Sequence, residues 1–382
     1  MVGAGESTGR PSVRRALRPV RQVPKMEQPV VRNTVLAPVP EVPLSHAHAG
    51  RTPGPAFAAL DLGTNNCRLL IGAPTGDGFR VLESFSRVVR LGEGLHRTGR
   101  LCEAGMARAI EALHACAARL DRRKPRALRA IATEACRRAA NGRDFVARAR
   151  AETGLPLDVI SGREEAELAL ESCAALLTGG ARRALLFDIG GGSTELAWVR
   201  IEPGGPPALI GCDSLPVGVV TLTEQFGAAA FTDAGFRAMV ADVTARLAAF
   251  EAVHCIAREI GQGGVCLLGT SGTVTTLAGV ALDLPRYRRP LVDGVVLEAD
   301  AACKALARLR ALGRDGLERH PCVGPERLEF VLPGCAVFAA ITAMWPATPV
   351  VVADRGLREG VLLRLIRADR ARPHRHGRAP CG

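Results

Sequence analysis

AALDLGTNN (residues 58–66) and LLFDIGGGSTE (residues 185–195) are two similar stretches of this chain, and they decide its fold. In each, an apolar run predicts a buried β-strand that reaches an aspartate, Asp61 or Asp188, and runs into a glycine turn. The glycines allow backbone N–H groups to approach a ligand that a Cβ would block, and such a turn suits a metal-bound phosphate. One copy also describes an ordinary hairpin, but two copies indicate a repeated phosphate-binding turn.

Strands and helices alternate after each of these turns. Three strands are predicted between residues 57 and 89 and three more between residues 184 and 214, and helices follow each set. Both halves therefore open with strands and close with helices. The pattern predicts an α/β protein built from a duplicated unit, with a cleft between the two copies.

The length of 382 residues exceeds what a single core usually supports, so we expect two domains. We place them at 55–164 and 165–370, each with one glycine turn, and allow the last helix to pack back on the first domain. A Pro-rich basic tail at 1–54 and a basic tail at 371–382 are expected to flank them.

The formal charge of +12 is concentrated in these tails. The first tail shows neither helical nor strand periodicity and is expected to be disordered. It is interpreted as a dispensable tail, as a start assigned too early with Met26 as the true start, or as an arm that binds polyanions by counterion release. Arg14 and Arg15 are not followed by the apolar segment of an export signal.

Apolar runs and cysteine usage both bear on the cellular compartment of the protein. No uninterrupted apolar run is long enough to cross a bilayer, so no membrane partner is expected. The twelve cysteines form no C-x-x-C pair, and the histidines show no zinc-ligand spacing. Six cysteines lie in apolar segments, where a reduced thiol behaves as a small hydrophobe in a cytoplasmic protein: Cys67, Cys116, Cys136, Cys173, Cys266 and Cys335.

Seven short motifs occur in order along the chain: ALDLGTN (59–65), LGEGL (91–95), ATEACR (132–137), ISGREEA (160–166), DIGGGSTE (188–195), GTSGT (269–273) and LREG (357–360). The series resembles the exopolyphosphatase/guanosine pentaphosphate phosphatase family over about residues 55–367. The resemblance implies two actin-like domains, of the sugar kinase, Hsp70-like ATPase and ribonuclease H-like fold. It also implies cytoplasmic hydrolysis of a terminal phosphate from polyphosphate or from pppGpp of the stringent response, and a homodimer.

The substrate stays open between these two, and no specific nucleic acid is expected as a partner. The chain resembles the short members of the family, without further C-terminal helical domains, so processive action on a long polymer is not expected. A kinase or ATPase of the same fold superfamily, and a non-catalytic sensor of polyphosphate or alarmone, are the alternatives.

Phosphoanhydride hydrolysis needs charge neutralisation, an aligned water and a base. The turns supply phosphate-binding groups at Gly63, Thr64 and Asn65 and at Gly190, Gly191, Gly192 and Ser193. Carboxylates at strand ends form an oxygen-ligand set for Mg²⁺ at Asp61, Asp188 and Glu195. For Glu195 the alternative is an outward charge on a strand. Buried carboxylates without a partner are costly, which favours a ligand for the two aspartates.

The base is one of two adjacent glutamates. Ser161 and Glu164 have the spacing of a capping box, which explains Glu164 structurally. Glu165 lies about 100° further round the helix and has no capping duty. A solvated helix charge is the alternative, but the catalytic glutamate of the family also falls on the second position, so Glu165 is predicted to activate the attacking water.

Further phosphate contacts are predicted outside the two turns. Arg137 follows Thr133 after a strand and is suited to bidentate phosphate binding, although an ordinary surface arginine is the alternative. Arg90 is a weaker candidate of the same kind. The GTSGT turn places Gly269, Ser271 and Gly272 where they contact a nucleotide or the polyphosphate chain, or simply join a strand to a helix.

Overall fold

Two β-sheets form the framework of the protein, as seen in a computed structural model that describes residue 1 and residues 54–372 except 77, 178–179, 203 and 347. The predicted tails at 1–54 and 371–382 lie almost wholly outside the described residues. The first sheet contains β1 Phe57–Leu62, β2 Asn66–Thr75, β3 Gly78–Val88, β4 Ala127–Ala132 and β5 Leu157–Val159. The second contains β6 Arg183–Ile189, β7 Thr194–Arg200, β8 Ala208–Leu215, β9 Val265–Thr270, β10 Val296–Leu297 and β11 Val350–Ala353.

The two sheets share one strand order. The first runs β3-β2-β1-β4-β5, and the second runs β8-β7-β6-β9-β11 with β10 added at its edge. In both, the strand that carries the Asp–Gly turn pairs antiparallel with the next strand and parallel with the fourth. This repeated order confirms the predicted α/β fold of two duplicated actin-like domains.

Fourteen α-helices are present among the described residues. Those of the first half are α1 Leu95–Thr98, α2 Glu103–Arg123, α3 Glu134–Arg138, α4 Gly142–Thr153 and α5 Gly162–Cys173. The second half contains α6 Val219–Phe226, α7 Asp233–His254, α8 Ile256–Gly261, α9 Gly272–Ala281, α10 Arg289–Val292, α11 Ala299–Ala311, α12 Gly313–Arg319, α13 Leu328–Met344 and α14 Leu357–Arg370. Short 3-10 turns lie at Ala174–Leu176, Gly227–Phe231 and Pro325–Arg327.

Helix α14 connects the two sheets. It follows β11 of the second sheet, yet its apolar residues Leu357, Val361 and Leu362 pack in one cluster with Phe57 and Ala59 of β1. It also packs against α5, which in turn contacts β7 and β8. Helices α5 and α14 therefore lie at the junction of the two halves, where they position the residues at their N-termini beside the cleft.

The contact between these two helices requires a glycine. A Cβ on Gly360 would lie 2.0 Å from the backbone oxygen of Leu168. Because the obstacle is main chain rather than a movable side chain, no larger residue fits without separating the helices. This explains the glycine of the LREG motif as a packing requirement.

Two local features differ from what the sequence indicates. Residues 233–260 read as one continuous helix, but the helix is divided at Cys255, whose φ of 49° interrupts it between α7 and α8. Asn141 is expected at the N-cap of α4 and occupies that position, but its side chain makes no capping hydrogen bond. Instead its amide group bonds both the backbone N–H and the carbonyl of Leu101, at 2.8 and 3.0 Å, and ties α4 to the loop before α2.

Among the described residues, the helical stretch Pro325–Met344 is long and apolar enough, by length and composition, to cross a membrane. Charged residues near its start interrupt the apolar run. In the structure 61% of its most apolar part is buried, and α13 within it packs against α6, α7 and β6. Its composition therefore matches a core helix of the second half.

The predicted core cysteines are free thiols. Cys67, Cys116, Cys136, Cys173 and Cys335 are buried, and Cys266 is half-buried. Cys67 and Cys116 lie with their Sγ atoms 3.9 Å apart in the core of the first half. They fill space as small apolar side chains, as the sequence predicts.

Candidate active site

A cavity of about 700 Å³ lies where the two glycine turns face each other. The C-terminal ends of β1, β6 and β9 reach it and contribute Asp61, Asp188 and Thr270 to its wall. Crevices outside the carboxyl ends of sheet strands are the usual ligand sites of α/β folds. The duplicated topology therefore explains why both turns share one cavity.

The two turns touch through the side chain of Thr64. A Cβ on Gly192 of the second turn would lie 2.6 Å from Thr64 Oγ1, and a Cβ on Gly92 would lie 2.3 Å from Thr64 Cγ2. Gly92 also donates its N–H to the backbone oxygen of Thr64 at 2.9 Å. The LGEGL motif therefore packs against the first turn and hydrogen-bonds to it, and its first glycine leaves room for the Thr64 side chain.

Backbone donors point to a bound anion. Within the described part of the chain, the N–H groups of Thr64, Asn65, Gly191, Gly192 and Ser193 have no acceptor in the protein. Unpaired backbone donors are rare in folded proteins unless water or a ligand takes them. Successive free N–H groups in a turn form a concave site suited to phosphate oxygens.

The second turn is held in place by the start of α6. Val219 and Val220 donate their N–H groups to the carbonyls of Gly190 and Gly191, at 3.0 and 2.8 Å. These bonds turn the carbonyls away from the cavity side of the loop. A Cβ on Gly218 would lie 2.5 Å from the Gly190 oxygen, so this position also needs glycine.

Three carboxylates line the cavity as predicted from the strand ends: Asp61, Asp188 and Glu195. Asp188 on β6 lies directly opposite Glu195 on β7 in the antiparallel register, and Asp61 on β1 lies opposite Arg68 on β2. The residue opposite the strand-end aspartate is thus basic in the first half, Arg68, and acidic in the second half, Glu195. Glu195 Oε1 accepts hydrogen bonds from Ser193 Oγ at 2.5 Å and Ser214 Oγ at 3.0 Å.

Burial dominates the electrostatics of these acids. It raises the pKa of Asp188 to about 6, against a smaller lowering by Arg68. Burial likewise raises the pKa of Asp61, opposed by Arg68 and Arg358, and it raises the pKa of Glu195, with Asp188 adding to the effect. Crowded buried carboxylates carry uncompensated negative charge, which a cation relieves.

The residues present fit a divalent cation with an incomplete protein shell. Oδ1 of Asp61 is buried and has no hydrogen-bond partner among the described residues. No three described His, Cys, Asp or Glu side chains converge into a full cage, however. Mg²⁺ is commonly held by one or two carboxylates and completed by water and substrate phosphate, and this donor set matches that pattern.

Glu165 occupies the cavity wall from the first turn of α5. Its side chain is buried, and Oε2 lies 3.1 Å from Nη1 of Arg137. Burial raises the pKa of Glu165 well above its ordinary value, the nearby Glu195 raises it further, and Arg137 lowers it. A carboxylate of raised pKa with one held oxygen is suited to accept a proton.

Glu164 points to a different neighbour. The Ser161 hydroxyl caps α5 by accepting the Glu164 N–H at 3.1 Å, as predicted. The Glu164 carboxylate, however, does not return to the helix start as a capping box requires, and instead lies 3.1 Å from Nη2 of Arg129. The two adjacent glutamates therefore differ in surroundings: Glu164 pairs at the surface, and Glu165 faces the cavity.

Arg137 has a different partner from the one the sequence predicts. It is absent from the described lining of the cavity, because its guanidinium bonds Glu134 at 2.6 Å, Glu165 at 3.1 Å and the carbonyl of Ile160 at 2.9 Å. Arg90 is exposed and outside the lining as well. Thr133 does line the cavity. Arg137 is thus placed to act on Glu165.

Only two of the three residues predicted from the GTSGT turn line the cavity. Ser271 and Gly272 line it, whereas the Cβ space of Gly269 is filled by the ring of Phe187 at 2.6 Å, which marks a packing glycine. Ser271 has a φ of 109°, and its hydroxyl accepts the Thr273 N–H at 3.2 Å. The turn thus presents the start of α9 to the cavity.

Sequence reasoning missed a group of basic and aromatic residues on the cavity wall: Arg68, Tyr287, Arg289, Arg327 and Arg358. Four of them lie outside every motif, and they come together only through folding. Arg358 lies within the LREG motif, which signalled the family but no role. The wall is therefore more basic than the sequence motifs alone indicate.

One cavity thus brings together two glycine turns, three strand-end carboxylates and the buried Glu165, an arrangement suited to phosphoryl chemistry. The sequence profile of the Ppx/GppA phosphatase family matches residues 71–368. The chain therefore belongs to the Ppx/GppA phosphatase family, and we describe it as a phosphatase.

Solved structures agree with this assignment. The chain is 27% identical to the Ppx/GppA family member of Aquifex aeolicus, with a TM-score of 0.68, over 82% of this chain and 98% of that one. It is 28% identical to an exopolyphosphatase-like protein, with a TM-score of 0.73, over 84% and 100% of the two chains. An exopolyphosphatase from Cytophaga hutchinsonii, 22% identical over 82% and 98% with a TM-score of 0.72, shares the fold.

Proposed function

We propose that this phosphatase hydrolyses the terminal phosphoanhydride of inorganic polyphosphate, the 5′-terminal phosphate of pppGpp, or both, with Glu165 as general base. One observation carries the proposal: a buried glutamate held by Arg137 lines the same cavity as two turns with free backbone N–H groups. The 28% identical relative is named exopolyphosphatase-like, which supports polyphosphate as a substrate.

The turns bind and neutralise the phosphoryl group. Free N–H groups of Thr64, Asn65, Gly191 and Gly192 surround it from the two halves, and such donors, already fixed by the fold, stabilise developing negative charge without reorganising. Because Thr64 joins the two turns, they act as one binding surface. This arrangement orients the phosphoryl group toward Glu165.

Glu165 supplies the proton acceptor. Its raised pKa makes it a stronger base than an exposed glutamate, and Arg137 opposes the shift and holds one carboxylate oxygen. A bound Mg²⁺ would neutralise charge on the phosphate oxygens, and Asp61, Asp188 and Glu195 would hold it partly through water. A water between Glu165 and the phosphoryl group is then placed for in-line attack.

The test measures phosphate release from polyphosphates of defined length, from pppGpp and from ATP in the presence of Mg²⁺. We expect Glu165→Gln to reduce kcat about 10³-fold on the preferred substrate. Glu164→Gln is a matched control, since it removes the same charge one residue away, beside Arg129; its kcat should stay within about twofold of the unsubstituted protein.

Three results would contradict the proposal. Full activity of Glu165→Gln rejects that residue as base. Binding of polyphosphate or pppGpp without any phosphate release by the unsubstituted protein favours a sensor. Transfer of phosphate from ATP to an acceptor other than water would place the protein among the kinases of this fold.

A further inference from the structure

Arg358 lies at the point where the chain returns from the second sheet to the first. It occupies the first turn of α14, directly after the loop that follows β11, and it lines the cavity together with Asp61 and both glycine turns. Its neighbour Glu359 is engaged elsewhere: Oε2 accepts the Gly356 N–H at 3.1 Å, and Oε1 lies 3.4 Å from Arg289. The adjacent acid therefore does not pair with Arg358.

The guanidinium of Arg358 has no partner among the described residues. No carboxylate lies within 4.0 Å of it, and it makes no hydrogen bond there, although it is only half-exposed to solvent at most. Burial lowers the pKa of Arg358, the charges of Glu359 and Asp61 oppose this, and those of Arg68 and Arg289 add to it. Arginine stays protonated in proteins, so this charge needs an anion from outside the chain.

Two neighbouring arginines, unlike Arg358, have partners within the described part of the protein. Arg355 pairs with Asp293 at 2.8 Å, and Arg289 bonds the backbone of Asp354 and lies near Glu359. These two arginines stabilise the loop before α14. Arg358 follows Arg355 by three residues but pairs with neither acid, which separates a ligand-directed arginine from structural ones.

The position of Arg358 differs from that of the reacting group. Glu165 lies in the first turn of α5, where it bonds Arg137, whereas Arg358 lies in the first turn of α14 and shares no hydrogen bond or ion pair with either residue. Both Glu165 and Arg358 line the same cavity. The two side chains therefore reach the cavity from different helices, and a chain of linked phosphates offers each of them its own phosphate.

We propose that Arg358 binds a phosphate of the substrate other than the one under attack, and so forms a separate phosphate subsite at the start of α14. The inference rests on the proposed function, since it assumes that the attacked phosphate lies at the glycine turns beside Glu165. Arginine matches the geometry of two phosphate oxygens, so the contact contributes to binding along the phosphate chain.

The test uses two probes on the full-length Glu165→Gln protein, in which turnover is suppressed: inorganic tripolyphosphate and orthophosphate, with dissociation constants measured by calorimetry. Adding Arg358→Gln should weaken tripolyphosphate binding about tenfold and leave orthophosphate binding within about twofold. Arg370→Gln is the matched control, because it removes the same charge from the exposed end of the same helix. Its binding of both probes should be unchanged.

Equal tripolyphosphate binding in the Arg358→Gln and Arg370→Gln proteins would overturn the proposal, and so would an equal loss for both probes. If Arg358→Gln does not fold, Arg358→Lys decides the matter: it keeps the charge but loses the paired contact, and full tripolyphosphate affinity in it overturns the subsite. Failure of the proposed function would be visible separately, as absent phosphate release by the unsubstituted protein.

Discussion

Arg137 Nη1 lies 3.1 Å from Glu165 Oε2, and this ion pair joins the segment after β4 to the start of α5. The same guanidinium bonds Glu134 and lies 3.4 Å from Ser214 Oγ, whose hydroxyl in turn bonds Glu195. A chain of polar contacts therefore connects residues from both halves to the proposed base. Such a network holds a catalytic side chain in one rotamer and position.

The first prediction concerns this ion pair. Arg137→Gln should lower kcat about 100-fold while KM changes less than about threefold, because Glu165 loses its orientation but the turns still bind substrate. Arg137→Lys keeps the charge and should recover part of the loss. Steady-state kinetics of phosphate release distinguish this from direct phosphate binding by Arg137, which would raise KM as strongly as it lowers kcat.

The second prediction concerns the support of the second turn. Gly218→Ala places a Cβ 2.5 Å from the Gly190 oxygen and 2.6 Å from the Gly191 oxygen, so either α6 or the turn must move. We expect a loss of about 2 kcal/mol in the free energy of unfolding by urea. Gly261→Ala in α8, where nothing lies within 4 Å of the new Cβ, is the control and should change stability by less than about 0.5 kcal/mol. Equal effects of the two substitutions would refute this account.

The third prediction follows from the raised pKa of Asp188, about 6 in the folded protein against about 4 in an unfolded chain. The folded state binds the proton more tightly, so the stabilisation is complete below pH 4 and is lost as the pH rises through about 6. Without divalent cations, Asp188→Asn should therefore raise Tm at pH 8, by the equivalent of about 3 kcal/mol, and much less at pH 4. Asp121→Asn, at an exposed site on α2, should show no such pH dependence, and a pH-independent gain in Asp188→Asn would contradict the prediction.

The fourth prediction concerns the cation. At pH 8, Mg²⁺ at about 100 times its dissociation constant should stabilise the unsubstituted protein by about 2.7 kcal/mol, because it binds the folded state alone. Asp61→Asn removes the carboxylate whose Oδ1 lacks a partner and should abolish most of this gain. Thermal unfolding with Mg²⁺ and with EDTA measures it. A full Mg²⁺ response in Asp61→Asn would exclude that residue as a ligand.

Local rules predicted much of the framework. The Asp–Gly turns, the alternation of strands and helices and the Ser161 cap depend on residues close together in the chain, and the structure has them. Predictions that depend on which partner a side chain selects were less successful. Glu164 and Asn141 both found partners far along the chain rather than the nearby caps that spacing suggested.

The sequence by itself determined the duplicated fold and the two facing turns, because apolar periodicity and glycine positions specify strands and turns locally. Only the tertiary structure decided the charges of the cavity. It placed Arg137 on Glu165, filled the space at Gly269 with Phe187, and brought Arg358 into the same cavity wall as Asp61 from almost 300 residues away. Long side chains choose among all charges within reach in space, and that choice exists only once the two halves have packed together.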